Sequence, residues 1–240
     1  MYRRSYMSFF PPLTPVLKLL VIVTSATFVI TFIPAQLFGW SWPFAYFGLR
    51  PYAVTHQLFI WQVVTYLFLH GGFFHILFNL FALWMFGSEL ERLWGSRRFL
   101  YYFFLTGIGA GVFDVLLQPS SVTTTIGNSG AVYGILLAFG LLFPDRPIFL
   151  WFVIPVKAKW FVLGMGVIEF VSSFSAPGSQ ISHIAHLGGM LFGFLYLRGG
   201  GFWYRWQLNF QEWRRARLRK KFEIYMRKHE QKDDAGRWIN

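Results

Sequence analysis

Residues 125–143 read TIGNSGAVYGILLAFGLLF, and the fold turns on how this stretch is taken. A run without charge is headed by Asn128 and Ser129, set between Gly127 and Gly130. As a helix from Asn128 to Phe143 it rises only about 24 Å, short of the roughly 30 Å of a bilayer core. It is therefore expected to be a short membrane helix with a recessed N-terminus. The polar loop 118-QPSSVTTTIG-127 should dip in above it. Irregular backbone at that depth needs protein or a wet cavity around it, so a water-accessible pocket open to the outside follows. Taken alone, Ser129 reads as a helix cap or a small-residue packing notch. The free N–H groups at a helix start also suit an oxyanion. The hydrolase elbow would need glycine two residues past the serine, where Ala131 stands.

The rest of the chain supports a membrane setting. Hydrophobic residues make up 55% of the 240 and charged residues 13%, well below the usual quarter of a soluble domain. Apolar stretches predict six spans, at about 13–33, 66–87, 98–117, 128–143, 159–174 and 183–198. The first lacks a small-x-small cleavage site and is read as a span, not a signal peptide. The aromatic segment from Pro34 to Trp61 is expected to sit half-sunk among headgroups. The absence of cysteine excludes disulfides, Cys-ligated zinc and thiol nucleophiles. Residues 1–12 are then an N-terminal segment, 13–198 a six-span domain and 199–240 a basic tail. From Arg198 onward the chain carries +7 of its net +12. With the N-terminus inside, only Arg50 of the 22 basic residues falls in an outer segment, which makes both termini cytoplasmic.

Spans two, four and six then run from outside to inside, and each has polar residues near its start. Span two holds 70-HGGFFHILFN-79, span four 127-GNSG-130 and span six 183-HIAHLGGMLFG-193. From the helix rise, His75, Ser129 and His186 all lie about 9–13 Å below the outer boundary. Polar side chains at that depth are functional hypotheses by default. His186, a buried or pore histidine if taken alone, precedes Gly189 and Gly193. If that small-residue face meets Gly130 and Gly134, the imidazole reaches the serine hydroxyl as a base. His75 and Asn79 share a helix face and could donate to an oxyanion, or act as polar glue between helices. His70 is expected to point elsewhere and anchor the outer loop. No metal site is expected, for want of an HExxH motif or a carboxylate nearby in sequence. Asp114 reads as a boundary aspartate before a triad acid. Glu169 is unassigned beyond a hydrogen bond to a neighbouring span.

Together these motifs resemble the rhomboid intramembrane serine proteases, over the core from about Trp61 to Leu197. The resemblance rests on His75 and Asn79 as H-x-x-x-N, with His70 upstream, and on Gly127, Ser129 and Gly130 as G-x-S-G, with Tyr133 following. Ala185, His186, Gly189 and Gly193 form A-H-x-x-G-x-x-x-G, and 87-GSELERLWGSRR-98 matches the loop after span two at Glu91 and Arg92. Trp61-Gln62 stands where many relatives have Trp-Arg, a difference that bears on loop contacts. What the resemblance implies is an all-α membrane protein, a six-transmembrane-helix bundle of rhomboid type with a short recessed fourth helix. It also implies a serine endopeptidase with a Ser129–His186 dyad, no carboxylate and no cofactor. His75 and Asn79 would hold the oxyanion, Tyr133 would pack on His186, and Gly127, Gly130, Gly189 and Gly193 would support the site.

The expected partners are membrane proteins with a transmembrane segment and the lipid bilayer. The tail, with Trp203, Trp206, Phe210 and Trp213 along one stripe, would lie on the anionic inner leaflet, and no nucleic acid is expected. The expected location is a bacterial inner membrane. With no further soluble domain in view, recognition is expected within the membrane or at its outer rim, with span five and Ser175–Ser182 as the gate. Two rivals are a non-proteolytic rhomboid-like binder and a transporter relaying protons through His75, His183 and His186. The first is indifferent to Ser129→Ala, and the second has no use for a glycine-flanked serine.

Overall fold

The computed structural model describes residues 11–150, 153–175 and 182–199. The expectations for most of the 1–12 segment, for the interior of the Ser175–Ser182 loop and for the tail from residue 200 lie outside the described residues. The chain divides into two compact units, Met1–Leu195 and Tyr196–Asn240.

The first helix, α1 (Pro15–Phe38), opens with proline in its first turn, where the missing N–H costs nothing. It runs past the expected end at residue 33. Pro34 sits inside it, and the stop comes at Gly39, which takes the left-handed conformation (φ 69°) and donates to the Ala35 carbonyl. One proline therefore does not end a helix of this apolar length. Between α1 and the next long helix the chain folds into α2 (Trp42–Phe47), α3 (Pro51–Gln57), α4 (Gln62–Thr65) and a 3-10 turn at Tyr66–Phe68. Gln62 is fully buried and ties this region together. Its Oε1 accepts from the Arg50 N–H at 3.0 Å, and its amide donates to the Tyr46 carbonyl at 3.1 Å. Beside it, the Trp61 indole donates to the same carbonyl at 3.0 Å. The residue that departs from the Trp-Arg pattern thus makes the loop contacts itself.

The second expected span starts late. Residues 69–72 are irregular, and α5 runs Phe73–Trp94. A single residue, Gly95 (φ 79°), joins it to α6 (Ser96–Leu117). Near this junction Glu91 is 3% exposed and reaches across to the start of α1. It accepts from the Val16 and Leu17 N–H groups at 3.0 and 3.1 Å, from the Thr14 hydroxyl, and from Ser96 at 2.6 Å. A remote carboxylate therefore caps a helix that has no side-chain cap of its own.

Then comes α7 (Ser129–Leu142), a 14-residue apolar helix that packs against α5, α6 and α8 and is buried along most of its length. Between the fourth and fifth expected spans, β1 (Pro147–Leu150) pairs antiparallel with β2 (Ile154–Lys157). Their β-branched and aromatic residues suit paired strands. The last two helices are α8 (Ala158–Ser175) and α9 (183–199). By length and composition α1, α5 and α6 can each cross a membrane. The outward faces fit that setting, with Leu19, Ile22 and Ile30 on α1, Phe74 and Phe78 on α5, and Val167, Ile168 and Phe174 on α8 all exposed.

Candidate functional site

Asn128 holds the N-cap position of α7 and Ser129 is the first helical residue. The Asn128 side chain makes no capping bond, although it is fully buried. The Ser129 hydroxyl meets a histidine, with its Oγ 2.7 Å from His186 Nε2. His186 lies in the first turns of α9, which Ser182 starts by accepting from the Ala185 N–H at 3.1 Å.

Glycines set the approach of the two helices. A Cβ on Gly189 would run into the Gly130 carbonyl. A Cβ on Gly134 would lie 3.0 Å from the Gly189 carbonyl oxygen, and one on Gly193 would meet the Tyr102 hydroxyl. Tyr102 donates to the Gly134 carbonyl at 2.8 Å and so pins α6 to α7 at the same level. The small-residue faces of α7 and α9 are therefore in backbone contact, and this is the distance at which one imidazole spans the gap.

His75 and Asn79 both lie on α5. The backbone turns into α7 at Gly127 with φ 107°, a conformation that favours glycine. A Cβ there would sit 2.7 Å from His75 Nε2, so the structure brings His75 against the strand of backbone that leads to Ser129. Asn79 donates to the His75 carbonyl at 2.9 Å, which uses one of its two amide hydrogens. His70 does not point elsewhere: its ring is buried and lies 4.9 Å from the His75 ring. The two residues are not on one helix, because α5 starts at Phe73, so the five-residue spacing carries no helical angle. The loop before α7 is fixed by main-chain bonds, with Leu49 and Thr125 paired and the Gly127 N–H donating to the Tyr66 carbonyl at 2.9 Å. Asp114 accepts from Thr125 and from Gln118, both at 3.0 Å, and serves that loop.

Tyr133 stacks on His186, with ring centroids 4.3 Å apart and planes 15° from parallel. Its hydroxyl donates to Glu169 on α8. Glu169 is 5% exposed, and its Oε2 lies 2.6 Å from His183 Nδ1 and 3.0 Å from His186 Nδ1. The first is an aligned hydrogen bond, the second a close approach without that alignment. A histidine with no carboxylate, the expectation from the resemblance, does not describe this geometry. Glu169 does hydrogen-bond to neighbouring spans, as expected, but sequence reasoning did not place it beside His186, and it named His183 only in the proton-relay rival. The available signals were an acid inside an apolar helix and two histidines three apart on one face. Glu169, His183 and His186 each offer a ligand atom within 4.8 Å of the others, a set that could hold a metal ion. The carboxylate absent nearby in sequence is thus present in space.

The family model described as the Rhomboid domain matches residues 57–200, which include every residue of this cluster. The chain belongs to the rhomboid family. It is 29% identical over 173 residues to Rhomboid protein 1, mitochondrial, of Saccharomyces cerevisiae, covering 68% of this chain and 50% of that protein. It is 30% identical over 153 residues to Rhomboid protease GluP of Bacillus subtilis, covering 62% of this chain and 27% of GluP. Rhomboid-like protease 5 of Toxoplasma gondii is 35% identical over 158 residues, 62% of this chain and 17% of its own length. This rhomboid thus spans half or less of the length of these relatives. With its apolar helices, it is an integral membrane protein.

Proposed function

We propose that this rhomboid is an intramembrane serine endopeptidase in which Ser129 is the nucleophile and His186 its base. The observation that carries the reading is the 2.7 Å approach of His186 Nε2 to Ser129 Oγ, a half-buried serine meeting a buried histidine. A serine is a weak nucleophile until a neighbouring base takes its proton.

In the proposed reaction Ser129 Oγ attacks the scissile carbonyl carbon, and its proton passes to His186 Nε2. The tetrahedral oxyanion accepts from the Ser129 N–H, free at the helix start, and from His75 and Asn79. Asn79 retains one amide hydrogen for this. His75 Nδ1 faces the Gly71 N–H at 3.5 Å, which favours the proton on Nε2, the ring atom beside Gly127. Collapse breaks the C–N bond, and His186 gives its proton to the leaving amine. Water then attacks the acyl-Ser129 ester, again losing a proton to His186, and release of the acid restores the hydroxyl. The stacked Tyr133 ring holds His186 with its Nε2 edge turned to the serine.

The substrates are membrane proteins cut in or beside a transmembrane segment. Six helices form the spans, α1, α5, α6, α7, α8 and α9, with α7 short and recessed from the outer face. The described inner segments carry Arg92, Arg97, Arg98, Arg146 and Lys157, which favours cytoplasmic termini in a bacterial inner membrane. On this reading 1–12 is cytoplasmic, 13–198 is the protease domain, and the basic tail 199–240 rests on the inner leaflet. Substrate enters sideways past α8 and the Ser175–Ser182 loop.

Cleavage of a single-span model substrate in liposomes tests the reading. Wild type is expected to cut near the outer boundary, with Ser129→Ala and His186→Ala both silent. A wild type that cuts none of several substrates, or a Ser129→Ala variant that still cuts, overturns it.

A further inference from the structure

Three sides of the His186 ring are occupied. Ser129 Oγ lies at Nε2, Tyr133 covers one face, and Glu169 Oε2 stands 3.0 Å from Nδ1. Among the described residues no polar protein atom makes an aligned hydrogen bond to that nitrogen, which is buried, and Glu169 Oε2 is the carboxylate oxygen beside it. Glu169 is itself held on its second oxygen by the hydroxyl of the same Tyr133 that stacks on the histidine.

We propose that Glu169 is a positioning residue that turns the Ser129–His186 pair into a serine–histidine–carboxylate line, an inference that rests on the protease reading above. Two effects follow from its place. A carboxylate oxygen at Nδ1 keeps the ring proton on that nitrogen, so Nε2 is left bare to take the serine proton. The same charge faces the ring when it turns cationic, in surroundings where water screens little. His183 does not displace this role. A carboxylate oxygen has two lone pairs, and Oε2 can receive both ring N–H groups at once. His183 and His186, three apart on α9, approach it together. Because Glu169 sits on α8 and the histidines on α9, the line is complete only while α8 stays docked on α7 and α9.

The rival account is that Glu169 merely ties α8 to α9 through His183 and Tyr133. The two accounts part in kinetics. The 240-residue chain in liposomes containing EDTA, which removes any metal from the Glu169, His183 and His186 set, is assayed as wild type, Glu169→Gln, Glu169→Asp and His183→Ala. Cleavage kinetics, the rate of fluorophosphonate labelling of Ser129 and Tm are recorded for each. Glu169→Gln keeps shape and loses charge. It is expected to lower kcat by about 10²–10⁴-fold and to slow labelling in parallel, with KM and Tm near wild type. Glu169→Asp keeps the charge and is expected to recover part of kcat. His183→Ala, which removes the tie but leaves the carboxylate facing His186, is expected to lower kcat by less than Glu169→Gln does.

The inference is overturned if Glu169→Gln cuts and labels within about twofold of wild type. It also falls if His183→Ala and Glu169→Gln lose kcat equally with equal loss of Tm, the mark of a tie. Should Glu169→Gln fail to fold, Glu169→Asp decides: a lower kcat at wild-type Tm supports the line, and a kcat that falls only in step with Tm removes it. A wild type that neither cuts nor labels sinks the protease reading itself, a result separate from all of these.

Discussion

Two buried glutamates, Glu91 and Glu169, look alike by exposure and differ in what surrounds them. Glu91 faces backbone N–H groups of α1 and the hydroxyls of Thr14 and Ser96, none of which changes charge at ordinary pH. Its donors come from the start of α1 and the start of α6, so it works as a remote cap and locks helix ends. Glu169 faces two histidines and a tyrosine, one of them in contact with a serine hydroxyl. The partners of Glu91 want one fixed arrangement, whereas those of Glu169 include a ring able to take and return a proton. Burial alone does not mark a working carboxylate. The chemistry of its partners does.

Substitutions can break or sharpen this contrast. Outside the Ser129–His186 pair and Glu169, the largest effect is expected at Gly189. Gly189→Ala puts a methyl into the Gly130 carbonyl and pushes α9 from α7. A misplacement of about 1 Å between nucleophile and base costs on the order of 10²-fold in rate, measured as kcat on a single-span substrate. Glu91→Ala should do the opposite of Glu169→Gln. It orphans the α1 start and is expected to cost about 2–3 kcal/mol, read as a lower Tm, with activity per folded molecule retained. If Glu91→Ala instead abolishes cleavage without loss of Tm, the contrast fails. Gln62→Ala removes the buried link from Arg50 to Tyr46 and should cost about 1–2 kcal/mol by the same thermal assay.

The smallest effect lies in the loop after α7. Lys159 and Lys157 beside Asp145, at 3.0 and 3.2 Å, hold its carboxyl below the usual aspartate range. A depressed carboxylate contributes stability that is complete at neutral pH and lost as pH falls through and below that range. Because the group is fully exposed, Asp145→Asn should barely move Tm at pH 7, with any difference from wild type vanishing in acid.

The residues of the candidate site were largely legible in the sequence, because three short patterns each opened a span running the same way. The glycine faces of α7 and α9 made contact between Ser129 and His186 an available inference, and the structure has them in contact. Glu169 was not legible in its place. Its height on α8 relative to His186 depends on how two helices dock, and no local pattern encodes that. His70 was misread for a local reason, since helical spacing was applied to residues that precede the helix. The hairpin at Pro147–Lys157 was missed because a short apolar run does not distinguish strand from membrane-edge loop. The first span is expected to end near residue 33, whereas α1 runs on through Pro34 and the left-handed Gly39 makes the actual stop.

The central claim is that His186 makes Ser129 nucleophilic. Fluorophosphonate labelling in liposomes, with the modified residue located by mass spectrometry, tests it most directly. The account predicts labelling at Ser129 in wild type, none in Ser129→Ala, and a rate at least about 10²-fold lower in His186→Ala. Wild type left unlabelled, or His186→Ala labelled at Ser129 as fast as wild type, would contradict it.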